Sequence, residues 1–329
     1  MAQDLVFVTG GTGFLGRHLV QFLLGKGLRV RLLVRQNSQI DWLKNLPVEL
    51  VIGDVSNTQI LLSGMQGCRY VIHAAGFFRF WGPYEIFDST NLQGTKNIAK
   101  AALACGIEKL IYISTIAVVG IPLKGKIIDE KVVCHPQDPY QHSKLSAEKH
   151  LQGMYQQDGL PIVIIRAGAF YGHGSMYGFN RLFIIEPLQK LRVRVEKGER
   201  FTFPVFVPDV AKVIYDSLSL ARNGETYNIS DTSRTHNQVN EIVSGILGIP
   251  KWRFSVARLP MLALATFQEI ISKLSGKEPF YPLNLRHYVF NDWSVSIEKA
   301  KRELNFEPTD IREGLSQTIE WIQDEMEQS

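Results

Sequence analysis

The chain has 329 residues, 45% hydrophobic and 21% charged, with a formal net charge of +4. That is enough apolar material for one large core, or a core with a smaller companion, and no Lys/Arg run of the kind that tracks a nucleic acid. Cys68, Cys105 and Cys134 form no C-x-x-C pair, which excludes a disulfide framework or zinc knuckle and fits a reducing cytoplasm.

The N-terminal stretch MAQDLVFVTGG has no basic leader region, and no run approaches the roughly 18 apolar residues of a membrane span. A cytoplasmic protein without a transmembrane segment is expected. Residues 5–10 then read as a β-strand and 14–27 as an amphipathic helix. Further strands are expected at 29–34, 48–53, 70–75, 109–115 and 161–168, with helices at 91–106 and 140–157 flanking the fifth. This alternation predicts an α/β protein, a Rossmann-type doubly wound parallel sheet of about seven strands. After Arg166 the rhythm breaks into an aromatic, glycine-rich loop. Residues 208–221 and 226–230 read as one more helix and strand, 235–290 as a smaller helical region, and 310–329 as a final helix started by Asp310 and Glu313. The expected division is 1–168, with 206–230 and 286–329 returning to it, against a substrate-binding part made of 169–205 and 231–285. The apolar stretch 259–267 reads as an amphipathic helix resting on the core, with a membrane-surface role as the minor alternative.

VTGGTGFLG places Gly10, Gly13 and Gly16 between the first strand and first helix. Glycines there allow a tight turn, and the helix N-terminus offers its N–H groups and dipole to a pyrophosphate. A dinucleotide is therefore the expected ligand. At the end of the second strand Val34 stands where an acid would hold the adenine ribose, and Arg35 follows. A base in place of the acid favours NADP over NAD, leaving Asp54 for the adenine edge.

These stretches, together with HAAG at 73–76, ISTIAVVG at 113–120 and YQHSK at 140–144, resemble the extended short-chain dehydrogenase/reductase family, also described as the NAD-dependent epimerase/dehydratase superfamily. The similarity covers nearly the whole chain. HAAGFFRFWG and the tail HYVFNDWSVSIEKAKRELNFEP are most similar to its dihydroflavonol-reductase and 3β-hydroxysteroid-dehydrogenase-like branch.

The resemblance implies roles for particular residues. Tyr140 would exchange a proton with a carbonyl or alcohol. Lys144, about one helical turn on, would favour the phenolate and bind the nicotinamide ribose. A hydroxyl at the end of the fifth strand would steady the substrate oxygen. Ser114 and Thr115 both stand there, and the family spacing selects Thr115, with Ser114 near the cofactor. Gly10, Thr12, Gly13, Phe14, Leu15, Gly16, Arg35, Asp54, Val55, Ala74, Ala75, Gly76, Ala167 and Ala169, with Tyr140 and Lys144, would contact the dinucleotide. Phe77, Phe78, Trp81 and Tyr171 would wall the substrate pocket, and helices near 92–105 and 140–156 would form a homodimer.

The expected activity is NADP(H)-dependent interconversion of a ketone and a secondary alcohol on a bulky, largely apolar substrate. The alternative is a nucleotide-sugar epimerase or dehydratase with bound NAD, served by Arg181, Arg192, Arg194 or Arg200. A third reading, a non-catalytic dinucleotide sensor, is disfavoured by the intact Thr115, Tyr140 and Lys144. The eight histidines show no paired ligand spacing, so no metal is expected.

Overall fold

A computed structural model of the chain describes residues 4–252 and 254–328. Strand β1 (Leu5–Thr9) is buried along its whole length, as a strand covered on both faces must be. Helix α1 (Phe14–Gly25) carries the chain to β2 (Arg29–Val34) and β3 (Val48–Ile52). Helix α2 (Thr58–Met65) follows, started by the Asn57 side chain, which accepts from the Ile60 N–H at 3.2 Å. The sequence reading had no helix there. The chain continues through β4 (Tyr70–His73), α3 (Gly94–Ala104), β5 (Lys109–Thr115), α4 (Pro139–Asp158), β6 (Ile162–Ala167), α5 (Val207–Leu220) and β7 (Thr226–Ile229).

These seven strands form one parallel sheet in the order β7-β6-β5-β4-β1-β2-β3. One face packs Leu19, Leu23 and Ile214 of α1 and α5, and the other packs Ile98, Ala102 and Leu151 of α3 and α4. The chain winds in opposite directions from β1. A crevice therefore opens beyond the C-terminal ends of β1 and β4, where doubly wound sheets take ligands. Strand pairing ends earlier than the sequence reading had it, at Thr9, Ile52, His73 and Ala167. The residues released, among them Gly10, Ala74 and Gly168, form the rim of that crevice.

Beyond β6, Ala169–Tyr171 pairs with Pro204–Phe206, Phe201–Thr202 with Arg234–Thr235, and Val193–Val195 with Phe254–Val256. Helix α6 (His236–Leu247) begins with a reciprocal cap between Thr235 and Gln238. Helix α7 (Arg258–Ser275) follows, then α8 (Glu298–Leu304) and α9 (Ile311–Gln328). Residues of α8 join the sheet core through Ala300 and Leu304. Helix α9 instead packs Ile311, Leu315 and Ile319 onto Val239 and Val243 of α6. Asp310 starts α9, its carboxylate accepting from the Arg312 N–H at 2.9 Å. Asp209, in the first turn of α5, accepts from the Thr309 N–H and hydroxyl, both at 2.8 Å.

Helix α7 departs from its expected seating. It was to rest its apolar side on the core, but only Ala265 and Ser272 of it are buried. Its inward side carries Gln268 and Glu269, which accept from the Tyr281 and Leu283 N–H groups at 2.8 and 3.1 Å. These acceptors for the 281–283 backbone anchor an inward side on which Met261, Leu262 and Ala265 also lie, and the larger apolar side faces out. No helix among the described residues is long and apolar enough to cross a membrane.

Candidate active site

The glycine loop is built around contacts that a side chain would prevent. Gly10 sits at φ +74°, and a Cβ there would lie 2.5 Å from the Ala75 nitrogen. A Cβ on Gly16 would lie 2.1 Å from the Gly10 oxygen. The first turn of α1 therefore lies tight against the end of β1 and the loop after β4. Gly13 occupies the N-cap and supplies no side-chain partner to the first N–H groups of α1. A cradle closed to Cβ atoms, topped by an uncapped helix N-terminus in the crevice, fits the pyrophosphate of a dinucleotide.

At the end of β4, burial holds His73 neutral, its pKa lowered to about 3. Its Nδ1 accepts from the Thr9 hydroxyl at 2.7 Å, and its Nε2–H donates to the Thr95 hydroxyl at 2.9 Å. The Thr95 hydroxyl donates in turn to the Asn91 carbonyl at 2.6 Å, which fixes this tautomer. Asn91 then clamps both backbone groups of Phe77 and donates to the Ser143 hydroxyl at 2.9 Å, and Ser143 donates to the Tyr140 carbonyl at 2.8 Å. One buried polar chain thus ties the strand ends to the helix that carries Tyr140.

Helix α4 begins at Asp138, which accepts from the Gln141 N–H at 2.8 Å, with Pro139 at its first position. That start places Tyr140 in the first turn and Lys144 one turn later. Burial raises the pKa of Tyr140, a hydrogen bond from Thr115 opposes the rise, and the Asp138 charge adds to it. The phenol is thus protonated near neutral pH. In the free chain burial is the largest influence on this phenol. Thr115 faces Tyr140, and its hydroxyl oxygen also accepts from the Ala117 N–H at 3.2 Å. Asp138 is raised to about 6, by burial first, and accepts from the Tyr288 hydroxyl at 3.0 Å.

Lys144 is buried, donates to the Ile113 carbonyl at 2.5 Å and lies 4.1 Å from the centre of the Tyr112 ring. Burial lowers its pKa to about 7, against the pull of Glu148. Between that value and the ordinary lysine value of about 10.4, the unfolded chain binds more protons than the folded one. Through this group the dinucleotide-free protein is expected to gain stability as pH rises from about 7 to about 10, and Lys144→Met to flatten the gain. Chemical denaturation at a series of pH values measures it; an equal slope in the variant contradicts it.

The two hydroxyl candidates on β5 divide between faces, as strand neighbours do. Ser114 donates to Glu148 of α4 at 2.5 Å, and Glu148 also pairs with Arg166 at 2.6 Å.

One cavity of about 360 Å³ joins these parts. Its lining includes Gly10, Gly13, Phe14, Leu15, Gly16, Ala74, Gly76, Ser114, Thr115, Tyr140, Lys144, Ala167 and Ala169, together with Phe78, Phe80, Phe170, Tyr177, Phe179, Phe183, Phe203, Leu285 and Tyr288. The expected residues are thus largely brought together, with exceptions. Thr12, Arg35, Asp54, Val55 and Ala75 lie off the cavity lining. Arg35 is exposed at the end of β2, Asp54 caps its own turn by accepting from the Ser56 N–H at 3.0 Å, and Val55 packs against Gly94. Three of the four expected substrate walls are misplaced. Phe77 turns onto Phe87, with ring centres 5.0 Å apart, Trp81 does not reach the lining, and Tyr171 is fully buried against Phe179 and Phe206. Phe78 does reach the site, its ring 4.8 Å from that of Tyr140. The sequence reading did not single out Phe203, His236, Leu285 and Tyr288, which arrive from distant segments without a local motif. No group of three potential metal-ligating His, Cys, Asp or Glu side chains occurs among the described residues.

A parallel doubly wound sheet, a glycine loop under an uncapped helix and a Thr–Tyr–Lys group at one cavity define an enzyme of the extended short-chain dehydrogenase/reductase class. Residues 6–230 match the model of the NAD dependent epimerase/dehydratase family, and the chain belongs to that family. It is 29% identical over 341 residues to a putative dihydroflavonol 4-reductase of Synechocystis, spanning 97% of this chain and 95% of that one. It is 30% identical over 364 residues to human 3 beta-hydroxysteroid dehydrogenase type 7, spanning 98% and 96%. The crystal structure of gox2253 superposes with a TM-score of 0.84 at 27% identity, covering 98% of this chain and 99% of that one.

Proposed function

We propose that the protein is an NADP(H)-dependent oxidoreductase that interconverts a ketone and a secondary alcohol on a bulky, largely apolar substrate. The observation that carries this reading is the aromatic share of the lining, in which Phe78, Phe80, Phe170, Tyr177, Phe183 and Phe203 share one cavity with the Thr115–Tyr140–Lys144 group. Such a lining favours a ring system or an acyl chain over a phosphorylated group.

The dinucleotide would lie over Gly10, Gly13 and Gly16 and supply or accept the hydride. Tyr140 holds the proton that a nascent alkoxide needs, and Thr115 shares its hydrogen bond so that one oxygen meets both hydroxyls. Lys144, held from behind by the Ile113 carbonyl, offers its remaining donors toward a ribose. A phenol kept protonated by burial suits the reductive direction. The hydroxysteroid named for the human relative is an apolar secondary alcohol, which agrees with this reading.

The nucleotide-sugar reading needs cations aimed at two phosphates, since burying those charges unpaired costs several kcal/mol. Arg181 pairs with Glu186 at 3.2 Å and Arg200 with Asp292 at 2.7 Å. Arg192 donates to the Pro187 carbonyl at 3.4 Å, and none of these, nor Arg194, lines the cavity. The cationic lining is Lys144 and Arg79, and Arg79 lies over the Tyr177 ring at 4.6 Å with Glu278 at 3.8 Å.

Arg35 is the residue on which the NADP(H) preference rests. It stands exposed beyond β2, within the reach of a 2′-phosphate placed at that strand end. Arg35→Ala is expected to weaken NADPH binding by about 1.5 to 3 kcal/mol, the range for a hydrogen bond to a charged group, and to leave NADH binding unchanged. Titration of both dinucleotides by intrinsic fluorescence tests it. Equal losses, or tighter NADH binding by the unaltered protein, overturn the assignment.

A further inference from the structure

We infer that α7 docks the enzyme on a lipid surface carrying anionic headgroups, with the mouth of the apolar cavity beside it. At about 100° per residue, positions 259, 260, 263, 264, 267, 270, 271 and 274 fall within one arc of about 140°. All eight are apolar and exposed. Leu259 is 78% exposed, Phe267 61%, Ile270 56% and Leu274 87%. An unbroken exposed apolar face of this kind marks an interaction surface rather than scattered surface hydrophobics.

The chemistry of the face selects the occupant. It presents no hydrogen-bonding side chain, so it offers a protein partner no polar group to read. The single acid of the helix, Glu269, points inward to the Leu283 N–H. Exposed cations, Arg258, Lys273 and Lys277, stand at the two ends. An apolar stripe edged by basic residues matches the boundary between acyl chains and anionic headgroups. A second copy of the chain would set these like charges near one another.

The position of the helix relative to the cavity gives the docking a use. Helix α7 packs on the turn Leu283–Leu285, and Leu285 lines the cavity. Just past the helix, Glu278 accepts from the hydroxyl of Tyr177, another lining residue, at 2.6 Å. An apolar substrate dissolved in the lipid would then enter without crossing water. This use deepens the apolar-substrate reading and rests on it; the docking itself is measured separately.

The test is flotation of the full chain with vesicles of phosphatidylcholine, with and without an equal share of phosphatidylglycerol. The unaltered protein is expected to float with the anionic vesicles and to be released as salt rises. The double variant Phe267→Glu, Leu274→Glu replaces two exposed side chains and should lower the bound-to-free ratio at least about tenfold. Lys273→Glu with Lys277→Glu should weaken binding to anionic vesicles alone. Dinucleotide titration of each variant should match the unaltered protein, which shows an intact fold and separates failure of docking from failure of the cofactor reading. Equal flotation of the Phe267/Leu274 variant overturns the inference. So does absence of flotation, including the case where sedimentation shows a dimer that the same variant dissociates.

Discussion

Tyr140→Phe is expected to lower turnover by at least about a hundredfold while dinucleotide affinity stays within error of the unaltered protein. The substitution keeps the ring that packs against Phe78 at 4.8 Å and removes the one proton the site can give at that position. Asp138 starts the helix through its own side chain and Ser143 donates to the Tyr140 carbonyl, so neither contact depends on the phenol. The fold should be unaffected and the loss should fall on kcat. Turnover close to that of the unaltered enzyme would remove Tyr140 from the chemistry. A parallel loss of dinucleotide binding would show a structural role instead.

The second large effect is on stability. Glu148 of α4 and Arg166 of β6 pair with side chains only 4% and 9% exposed, and Ser114 donates to the same carboxylate. Burial alone would lower the Arg166 pKa, and the adjoining Glu148 carboxylate overrides it and raises the value. Glu148→Gln keeps the shape and removes the charge, leaving a buried guanidinium without its counter-charge. A loss of about 3 to 5 kcal/mol is expected, read from urea denaturation. Glu148→Leu combined with Arg166→Met should recover most of it, because a packed apolar pair replaces an ion pair at little net cost. A loss below about 1 kcal/mol in the single variant would show that the pair is solvated.

What the sequence made legible follows the range of the interactions involved. The β-α alternation, the glycine loop and the Tyr140–Lys144 spacing are local, and each is written within a few residues. The substrate walls are not. Whether Phe170 or Tyr171 meets the cavity depends on how their short strand lies on Pro204–Phe206, and it is Phe170 that does. Tyr288 and Leu285 reach the site across more than a hundred residues of chain, with no periodicity to announce them. Helix α7 shows the same limit in another form. Its period marks an amphipathic helix, yet the side turned to the protein is anchored by backbone groups at 281 and 283 that need acceptors. Ser114 and Thr115 were separable by alternation in principle, and their assignment to faces required the partner Glu148, which lies on another element.

The central claim is hydride exchange with an apolar substrate, and the dinucleotide balance tests it most directly. The purified protein is incubated with NADPH and a panel of bulky cyclic ketones, then separately with a UDP-sugar, and both dinucleotide and products are quantified. The account predicts one NADPH consumed per alcohol formed from at least one ketone, abolished in Tyr140→Phe, with the UDP-sugar neither bound nor changed. Conversion of the UDP-sugar without net dinucleotide consumption, and no ketone reduced, would contradict it.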